Sequence, residues 1–476
     1  MTPPAYPSLE AVHAAIKNGQ TTHEALVRHY LDRIEASRSL NIYVEVFAEE
    51  ALEKARLLDE RLRRGETLGR LAGAVISLKD VICYKDHEVT AGSRILSGFR
   101  SLFSATAVER LLAEDAILIG RTNCDEFAMG STNENSWYGP TRNAADPERI
   151  PGGSSGGAAV SVQVDSCLIA LGSDTGGSVR QPASFCEVVG FKPSYGRISR
   201  HGLLAYGSSF DQIGLLAHSI ADIALVLEIC AGADDFDSTA SLSAVSPYSA
   251  MLHWDKPARI AYFDNALNSP GLDEGVRGNA EAFLEAMRQQ GHQVQAVPFD
   301  LLDYIIPAYY VLTTAEASSN LARYDGIRYG YRSQQARNLE ETYKRTRTEG
   351  FGAEVKRRIM LGSFVLSSGY YDAYYARAQR VRRLIRERME AIFTEFDFIF
   401  LPASPTPPWP IGQTIDDPVA NYLADIYTVA ANMAGLPAIA IPNGTHAPTG
   451  LPIGVQLMAA PFQEANLLAF SLSLKN

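Results

Sequence analysis

The chain has 476 residues, of which 46% are apolar and 20% charged, as in an ordinary globular protein with a large core. Its 43 basic and 54 acidic residues give a net charge of −11, which argues against a broad phosphate-binding surface on the chain itself. The N-terminus lacks a signal-peptide pattern and no run of 18 apolar residues occurs, so we expect a cytoplasmic protein without a membrane span.

The cysteines indicate a reducing compartment. They are odd in number, widely spaced and form no C-x-x-C pair. A zinc site or a disulfide framework is therefore not expected, and packing is the simplest role for them. The five residues are Cys83, Cys124, Cys167, Cys186 and Cys230.

The first 65 residues predict helices and one short strand. Ser8 can cap a first helix, and Thr21 and Glu24 have capping-box spacing at the start of a second. A strand over Ile42–Phe47 and a charged helix over Glu49–Arg64 follow. Nothing in this region indicates chemistry, so we interpret it as scaffold.

From residue 74 onward, short apolar runs alternate with helical segments. The pattern predicts strands Ala74–Leu78, Ala116–Ile119 and Cys167–Leu171, with helices Ala105–Glu114 and Gly157–Val164. Such alternation favours an α/β fold, here a mixed, largely parallel central sheet covered by helices on both faces. Ligands of such sheets bind beyond the carboxyl ends of the strands.

The second half predicts further strands around helical stretches. Residues 301–390 are expected to be helical, and a last helix is expected to begin near Glu464. A helix over Asp273–Gln290 lies between two predicted strands. The strands predicted in this half are Ala258–Phe263, Gln293–Val297, Phe396–Leu401, Ala438–Ile441 and Ile453–Met458.

Two glycine-rich turns that contain serine are the most informative feature. Residues 152–157 read GGSSGG and residues 174–178 read DTGGS. Glycine lets a substrate approach the main chain, and successive N–H groups in such turns can converge on an anion. Ser154 and Ser178 are therefore candidate nucleophiles. A flexible linker is disfavoured, because the segments between and around the turns are apolar.

The residues alone leave two ways to activate a serine. Gly152-x-Ser154-x-Gly156 matches the nucleophile elbow, which requires an acid and a histidine downstream. The alternative base is Lys79, directly after an apolar strand, since Ser–Lys pairs can replace Ser–His. A lysine base must be neutral, whereas a structural lysine would pair with Asp80. The candidate histidines are His201, His218, His253, His292 and His446.

Three motifs, in this order, resemble those of the amidase signature family. They are Ser77–Asp80 (SLKD), Pro151–Gly157 (PGGSSGG) and Gly172–Arg180 (GSDTGGSVR). The resemblance continues through Gly190–Arg197 and spans nearly the whole chain. It implies one amidase domain over residues 1–476, with an N-terminal helical region (1–65), a catalytic core (66–230), a helical insert region (231–395) and C-terminal strands (396–476).

The resemblance also implies roles for individual residues. The family uses a Ser-cisSer-Lys triad, so motif position makes Ser178 the nucleophile, Ser154 the bridging serine and Lys79 the ultimate base. The peptide bond before Ser154 is implied to be cis. The oxyanion is implied to be held by main-chain N–H groups of the second turn, those of Thr175, Gly176, Gly177 and Ser178.

Within the family, three stretches resemble the glutaminase subunits of tRNA-dependent amidotransferases: residues 125–131, 316–326 and 369–375. The resemblance implies that Arg358 binds the α-carboxylate of glutamine and Asp425 its α-ammonium, pairings that suit both groups chemically. Further pocket residues implied are Phe127, Met129 and Tyr309.

Such a protein would pass ammonia to partner subunits B and C. The resemblance implies that these partners amidate Glu-tRNA(Gln), Asp-tRNA(Asn) or both with ATP and magnesium, and hold most of the mischarged tRNA. No cofactor or metal is expected in this chain. Two alternatives stay open, a stand-alone amidase for another amide and a non-catalytic binding subunit. Family members commonly continue beyond the position of Asn476, so we expect a truncated C-terminus.

Overall fold

An eleven-stranded sheet forms the centre of the protein in a computed structural model, which describes residues 4–413 and 422–474. The order across the sheet is β1-β3-β2-β4-β6-β5-β10-β11-β9-β7-β8. In chain order the strands are β1 Tyr43–Val46, β2 Val75–Lys79, β3 Ile117–Thr122, β4 Ile169–Asp174, β5 Val189–Lys192, β6 Gln212–Ala217, β7 Arg259–Phe263, β8 Gln293–Val297, β9 Phe398–Pro402, β10 Ala438–Thr445 and β11 Pro452–Met458.

The sheet is mixed, as predicted, but its parallel pairs are not the majority. Four strand pairs are parallel, namely β2 with β3, β2 with β4, β7 with β8 and β7 with β9. The other six pairs in the described chain are antiparallel. The expectation of a largely parallel sheet is therefore wrong, because β5 and β6 lie between β4 and β10 as antiparallel neighbours.

Helices cover the sheet on both faces. Every residue of β2, β3, β4, β6 and β9 is buried, and neighbouring residues of a strand point to opposite faces, so both faces are shielded. The helices are α1 Leu9–Lys17, α2 His23–Ala36, α3 Ala48–Arg63, α4 Thr106–Ala113, α5 Gly156–Gln163, α6 Arg180–Phe185, α7 Ile220–Cys230, α8 Asp264–Leu267, α9 Glu274–Gln289, α10 Leu302–Asn320, α11 Leu339–Gly350, α12 Ala353–Val365, α13 Ala376–Ile392, α14 Val429–Ala434 and α15 Glu464–Ser473.

Helix caps show how local sequence sets these boundaries. The Ser8 hydroxyl accepts a hydrogen bond from the Ala11 N–H, as expected for the cap of α1. The cap of α2 is Thr22, whose hydroxyl accepts from the Ala25 N–H. The predicted cap at Thr21 is therefore wrong by one residue, because α2 begins at His23.

Strands from all four regions of the predicted domain share the one sheet. β1 lies before residue 66, β2 to β6 lie between 66 and 230, β7 and β8 lie before 396, and β9 to β11 follow. The division into regions remains an interpretation. In the described part of the chain, no helix combines the length and apolar character needed to cross a membrane. All five cysteines are free and buried.

Candidate active site

Lys79 ends β2 with its ammonium group in a ring of serine hydroxyls. The side chain is fully buried. Its Nζ donates to Ser154 Oγ at 2.7 Å, to Ser155 Oγ at 2.9 Å and to Ser173 Oγ at 2.9 Å. Three hydroxyls satisfy the three donors of an ammonium group, and no carboxylate of residues 4–413 or 422–474 forms an ion pair with it.

Burial makes the neutral amine of Lys79 easier to reach than that of an exposed lysine. Burial lowers the pKa of Lys79 to about 8, although the carboxylates of Asp125 and Asp174 act in the opposite direction. A pKa near neutrality suits a general base. The competing interpretation, a pair of Lys79 with Asp80, does not hold, because the Asp80 carboxylate accepts from Arg121, Thr90 and Gly92.

The two serine turns lie against each other. The peptide bond between Gly153 and Ser154 is cis, as the family resemblance implied. The Ser155 N–H donates to the main-chain oxygen of Ser178 at 3.1 Å, so Ser178 lies beside the Ser154–Ser155 pair. The predicted nucleophile, bridging serine and base thus belong to one buried cluster.

The turn that carries the predicted nucleophile Ser178, residues 174–178, is called the nucleophile turn. It is held by the carboxylate of Asp174 at the end of β4. Its oxygens accept from the Gly177 N–H at 2.9 Å and from Arg180 Nη2 and Nε at 2.9 and 3.0 Å. Because the Gly177 N–H donates to Asp174 in this structure, its predicted role as an oxyanion donor requires that this bond be exchanged. The roles of Thr175 and Gly176 remain predictions.

Close packing explains the glycine at position 177. Its φ is +131°, and a Cβ there would lie 2.1 Å from Thr428 Oγ1. The same Thr428 hydroxyl donates to the main-chain oxygen of Gly176 at 2.7 Å. Thr428, directly before α14, therefore packs against the nucleophile turn.

Arg358 is a buried cation at the wall of a cavity. Its Nη1 donates to Tyr206 Oη at 2.7 Å and its Nε donates to Glu354 Oε1 at 2.8 Å. The guanidinium also lies over the rings of Tyr206, Tyr310 and Tyr422, at 5.3–5.6 Å from their centroids. Since arginine has five N–H donors, donors remain for a carboxylate ligand.

The cavity beside Arg358 has a volume of about 190 Å³. It is lined by Gly130, Ser131, Thr132, Glu134, Asn135, Ala353, Glu354, Arg357, Arg358 and Tyr422. A larger cavity of about 500 Å³ lies elsewhere, against α13 around Arg382 and Tyr195, and none of the predicted site residues lines it.

Asp425 is connected to this cavity through Ser131. The Ser131 hydroxyl donates to Asp425 Oδ2 at 2.6 Å. Burial raises the pKa of Asp425 to about 7, against the lowering effects of the Ser131 hydrogen bond and the Arg358 charge. The Arg358 guanidinium, which lines the cavity, and the Asp425 carboxyl group, bonded to the cavity residue Ser131, thus lie close enough to interact electrostatically.

The weaker pocket candidates divide into two groups. Tyr309 reaches the nucleophile turn, because a Cβ at Gly176 would lie 2.6 Å from the Tyr309 hydroxyl. Phe127 packs against the rings of Tyr324 and Phe351. Met129 is fully buried, and neither Phe127 nor Met129 is among the described residues that line the cavity near Arg358.

The histidines have other partners, which removes support for a Ser-His-Asp site. His201 stacks between Phe103 and Phe236, and His446 contacts Asp273 and Thr449. The remaining three contact the Val162 oxygen (His218), the Ala258 N–H (His292) and Asp255 (His253).

The family model described as Amidase matches residues 25–468. The chain belongs to the amidase family. Among curated members, it is 50% identical over 467 residues to the A subunit of glutamyl-tRNA(Gln) amidotransferase from Chlorobaculum parvum, covering 98% of this chain and 97% of that relative. The similarity therefore extends over nearly all of both chains.

Solved structures of the amidase family share the fold. The A subunit of glutamyl-tRNA(Gln) amidotransferase from Thermotoga maritima is 35% identical with a TM-score of 0.76, covering 94% of this chain and 90% of that one. The peptide amidase of Stenotrophomonas maltophilia is 28% identical with a TM-score of 0.84, covering 99% and 96%.

Four site residues were missed by the sequence analysis. Ser155 and Ser173 bind Lys79 and stand next to predicted residues, Ser155 after Ser154 and Ser173 before the DTGGS turn. Ser131, which binds Asp425, closes a stretch already noted for its resemblance. Tyr206, which binds Arg358, carried no motif signal.

Proposed function

We propose that this amidase-family chain is the glutaminase subunit of a tRNA-dependent amidotransferase. One observation carries the proposal: Arg358 and Ser131 line one cavity, and Ser131 is bonded to Asp425. A guanidinium and a carboxylate are thereby available for the two charged ends of an α-amino acid. The curated relative at 50% identity is named as a subunit of such an amidotransferase, which supports the same assignment.

The chemistry follows from the buried cluster. Ser178 Oγ attacks the side-chain amide carbon of glutamine, and its proton moves through Ser154 to neutral Lys79. The C–N bond then breaks as the same relay returns the proton to the departing nitrogen, which leaves as ammonia. Water hydrolyses the acyl-enzyme to glutamate and restores Ser178.

Main-chain donors stabilise the tetrahedral intermediate. We assign this role to the N–H groups of Thr175, Gly176 and Ser178, with Gly177 available only if its bond to Asp174 is exchanged. In other enzymes one such donor contributes about 3–4 kcal/mol.

The amidation step belongs to partner subunits. We assign to subunits B and C the activation of Glu-tRNA(Gln), Asp-tRNA(Asn) or both with ATP and magnesium, and the binding of most of the tRNA. The net charge of −11 on this chain supports that division, because a polyanion gains little from an acidic surface.

Ammonia release tests the proposal directly. Turnover of L-glutamine would be compared with glutaramate, which lacks the ammonium, and 4-aminobutyramide, which lacks the carboxylate. We expect a strong preference for glutamine, a rise in its turnover when the partners and mischarged tRNA are added, and loss of activity in Ser178→Ala. The matched control is Ser199→Ala, a buried serine bonded to Asp234 away from the cluster.

Two variants separate this function from a stand-alone amidase. Arg358→Ala and Asp425→Ala should each impair glutamine use more than use of the analogue that lacks the matching charged group. Equal turnover of all three amides, unaffected by the partners, would assign the chain to the stand-alone class. Absence of any turnover and of any covalent Ser178 adduct would indicate a non-catalytic protein.

A further inference from the structure

A single buried carboxylate connects the nucleophile turn to the substrate-binding arginine. Asp211 directly precedes β6, and Gln212 pairs with Asp174 at the end of β4. The antiparallel register therefore brings Asp211 opposite Thr175. The Thr175 hydroxyl donates to Asp211 Oδ1 at 2.7 Å.

The same carboxylate closes the loop between β5 and β6. Its Oδ2 accepts from the Tyr206 N–H at 2.9 Å, and its Oδ1 accepts from the Gly207 N–H at 3.1 Å. Asp211 is only 3% exposed, so these bonds are formed away from water and are not easily replaced.

Tyr206 carries the connection to the cavity. Its hydroxyl accepts from Arg358 Nη1 at 2.7 Å and donates to Thr313 Oγ1 at 3.0 Å. Arg358 cannot rotate about its long side chain while Tyr206 and Glu354 hold two of its nitrogens. The guanidinium is thus aimed by a residue whose main chain is fixed by Asp211.

We propose that Asp211 is a positioning residue that sets the distance between the nucleophile turn and Arg358. One carboxylate oxygen orders the turn through Thr175, and the other orders Arg358 through Tyr206. This inference rests on the proposed function, because Arg358 matters for the reaction only if the substrate carries an α-carboxylate, as glutamine does. It adds a residue that acts on the reaction without touching the substrate.

The contacts of Asp211 form two arms: one leads through Thr175 to the nucleophile turn, and the other leads through Tyr206 to Arg358. The two arms predict different kinetic effects. Tyr206→Phe removes the acceptor for Arg358, so KM for glutamine should rise about tenfold with little change in kcat. Thr175→Val removes the bond between the turn and Asp211, so kcat should fall about tenfold with little change in KM. Asp211→Asn keeps one acceptor oxygen but turns the other into an NH2 donor, which meets the N–H of Gly207 or of Tyr206 whichever way the amide lies. One side chain can then no longer hold both arms, and both effects are expected.

A covalent probe separates these arms from glutamine binding. A small alkyl phosphonofluoridate, which has no carboxylate for Arg358, phosphonylates an activated serine: the Oγ–P bond forms, the P–F bond breaks, fluoride leaves and the serine proton passes to the base. Its rate of reaction with Ser178 should fall about tenfold in Thr175→Val and in Asp211→Asn, but stay within about twofold of the wild type in Tyr206→Phe. Combining Thr175→Val with Asp211→Asn should add no further loss to the phosphonylation rate.

Two matched controls test whether these effects are specific. Asp222→Asn replaces another buried aspartate, which accepts from the Leu9 N–H and is not among the described residues that line the cavity. Tyr195→Phe removes a hydroxyl that donates to the Ser208 oxygen of the same loop at 2.9 Å. Neither control should alter the kinetics of glutamine or of the probe.

Either of two results would overturn the proposal: Asp211→Asn behaves like Asp222→Asn, or its losses add fully to those of Thr175→Val. Failure of the proposed function gives a different result, since the wild type itself would then show no preference for glutamine. In that case the probe reaction alone decides whether Asp211 positions the turn. Unchanged thermal unfolding in the two conservative variants, Tyr206→Phe and Thr175→Val, excludes global misfolding as the cause.

Discussion

Lys79 Nζ and Ser173 Oγ lie 2.9 Å apart at the carboxyl ends of two adjacent parallel strands. β2 supplies the lysine and β4 supplies the serine, and the register of the pair aligns Leu78 with Leu171. The turn that carries Ser178 begins directly after β4. The sheet itself therefore brings the base to the nucleophile turn, and the first predictions concern this contact.

Replacement of Lys79 tests its role as a base. Lys79→Met should lower kcat about 10³-fold or more, since the serine relay then has no final proton acceptor. Lys79→Arg should lose as much, because a guanidinium stays protonated at any working pH. Both would be measured as ammonia release from glutamine. Substantial activity in Lys79→Arg would show that the side chain at position 79 supplies only a positive charge and is not the base.

The pH profile tests the same role without mutation. Lys79 must be neutral to accept a proton, and burial lowers its pKa to about 8. The value of kcat/KM should therefore rise with pH through about 8 and level off above it. Glutaramate is the suitable substrate, because it has no ammonium that would depend on Asp425. A profile that falls over this range would contradict a lysine base.

Glutamine binding should show a second pH dependence. Asp425 must be ionised to attract the α-ammonium, and burial raises its pKa to about 7. KM for glutamine should therefore increase as the pH falls below about 7, whereas KM for glutaramate should not.

Removal of the Ser131 hydroxyl should shift that dependence. Its hydrogen bond favours the carboxylate of Asp425, so Ser131→Ala should raise the pKa and move the increase in KM to higher pH. The measurement is KM for glutamine across about pH 6–9, a range that brackets the pKa of Asp425. An unchanged midpoint in the variant would show that Ser131 does not act on Asp425.

The ion pair of Asp174 and Arg180 should contribute to stability. Both side chains are fully buried and Nη2 lies 2.9 Å from Oδ1. Arg180→Met leaves a buried charge unpaired and should lower the free energy of unfolding by about 3–5 kcal/mol. The control is Arg383→Met, which breaks an exposed pair with Glu387 and should cost less than about 1 kcal/mol. Urea unfolding measures both.

The same pair predicts a loss of stability in acid. Burial alone would raise the pKa of Asp174, but the charge of Arg180 and its hydrogen bonds hold it at about 2. Because the folded-state pKa lies below the unfolded value of about 4, the stabilisation is complete above pH 4 and is lost as the pH falls towards 2. In Arg180→Met this part of the acid dependence should disappear.

The triad could be predicted because its residues lie inside short, contiguous motifs. Lys79 follows an apolar run, and Ser154 and Ser178 lie in glycine-rich turns that are easily recognised in the sequence. The strands β5 and β6 were not predicted, although they form three of the six antiparallel pairs in the described sheet. β5 has only four residues, and a glycine interrupts each of the two apolar runs, which weakens a strand prediction.

Long-range contacts of the site left no trace in the local sequence. Arg180 binds the Thr428 oxygen and Asn432, which follow it by 248 and 252 residues. Tyr206 reaches Arg358 across 152 residues. Propensity and periodicity describe neighbours along the chain, so no pattern could connect these residues before the fold was known.

The native cysteines of the folded chain should react only slowly with thiol-directed reagents. All five thiols are buried, and burial raises the pKa of each, so little reactive thiolate exists at neutral pH. A cysteine introduced on the surface would therefore react with maleimide ahead of all native ones. Fluorophores or crosslinkers could be placed one position at a time, without first removing a single native cysteine.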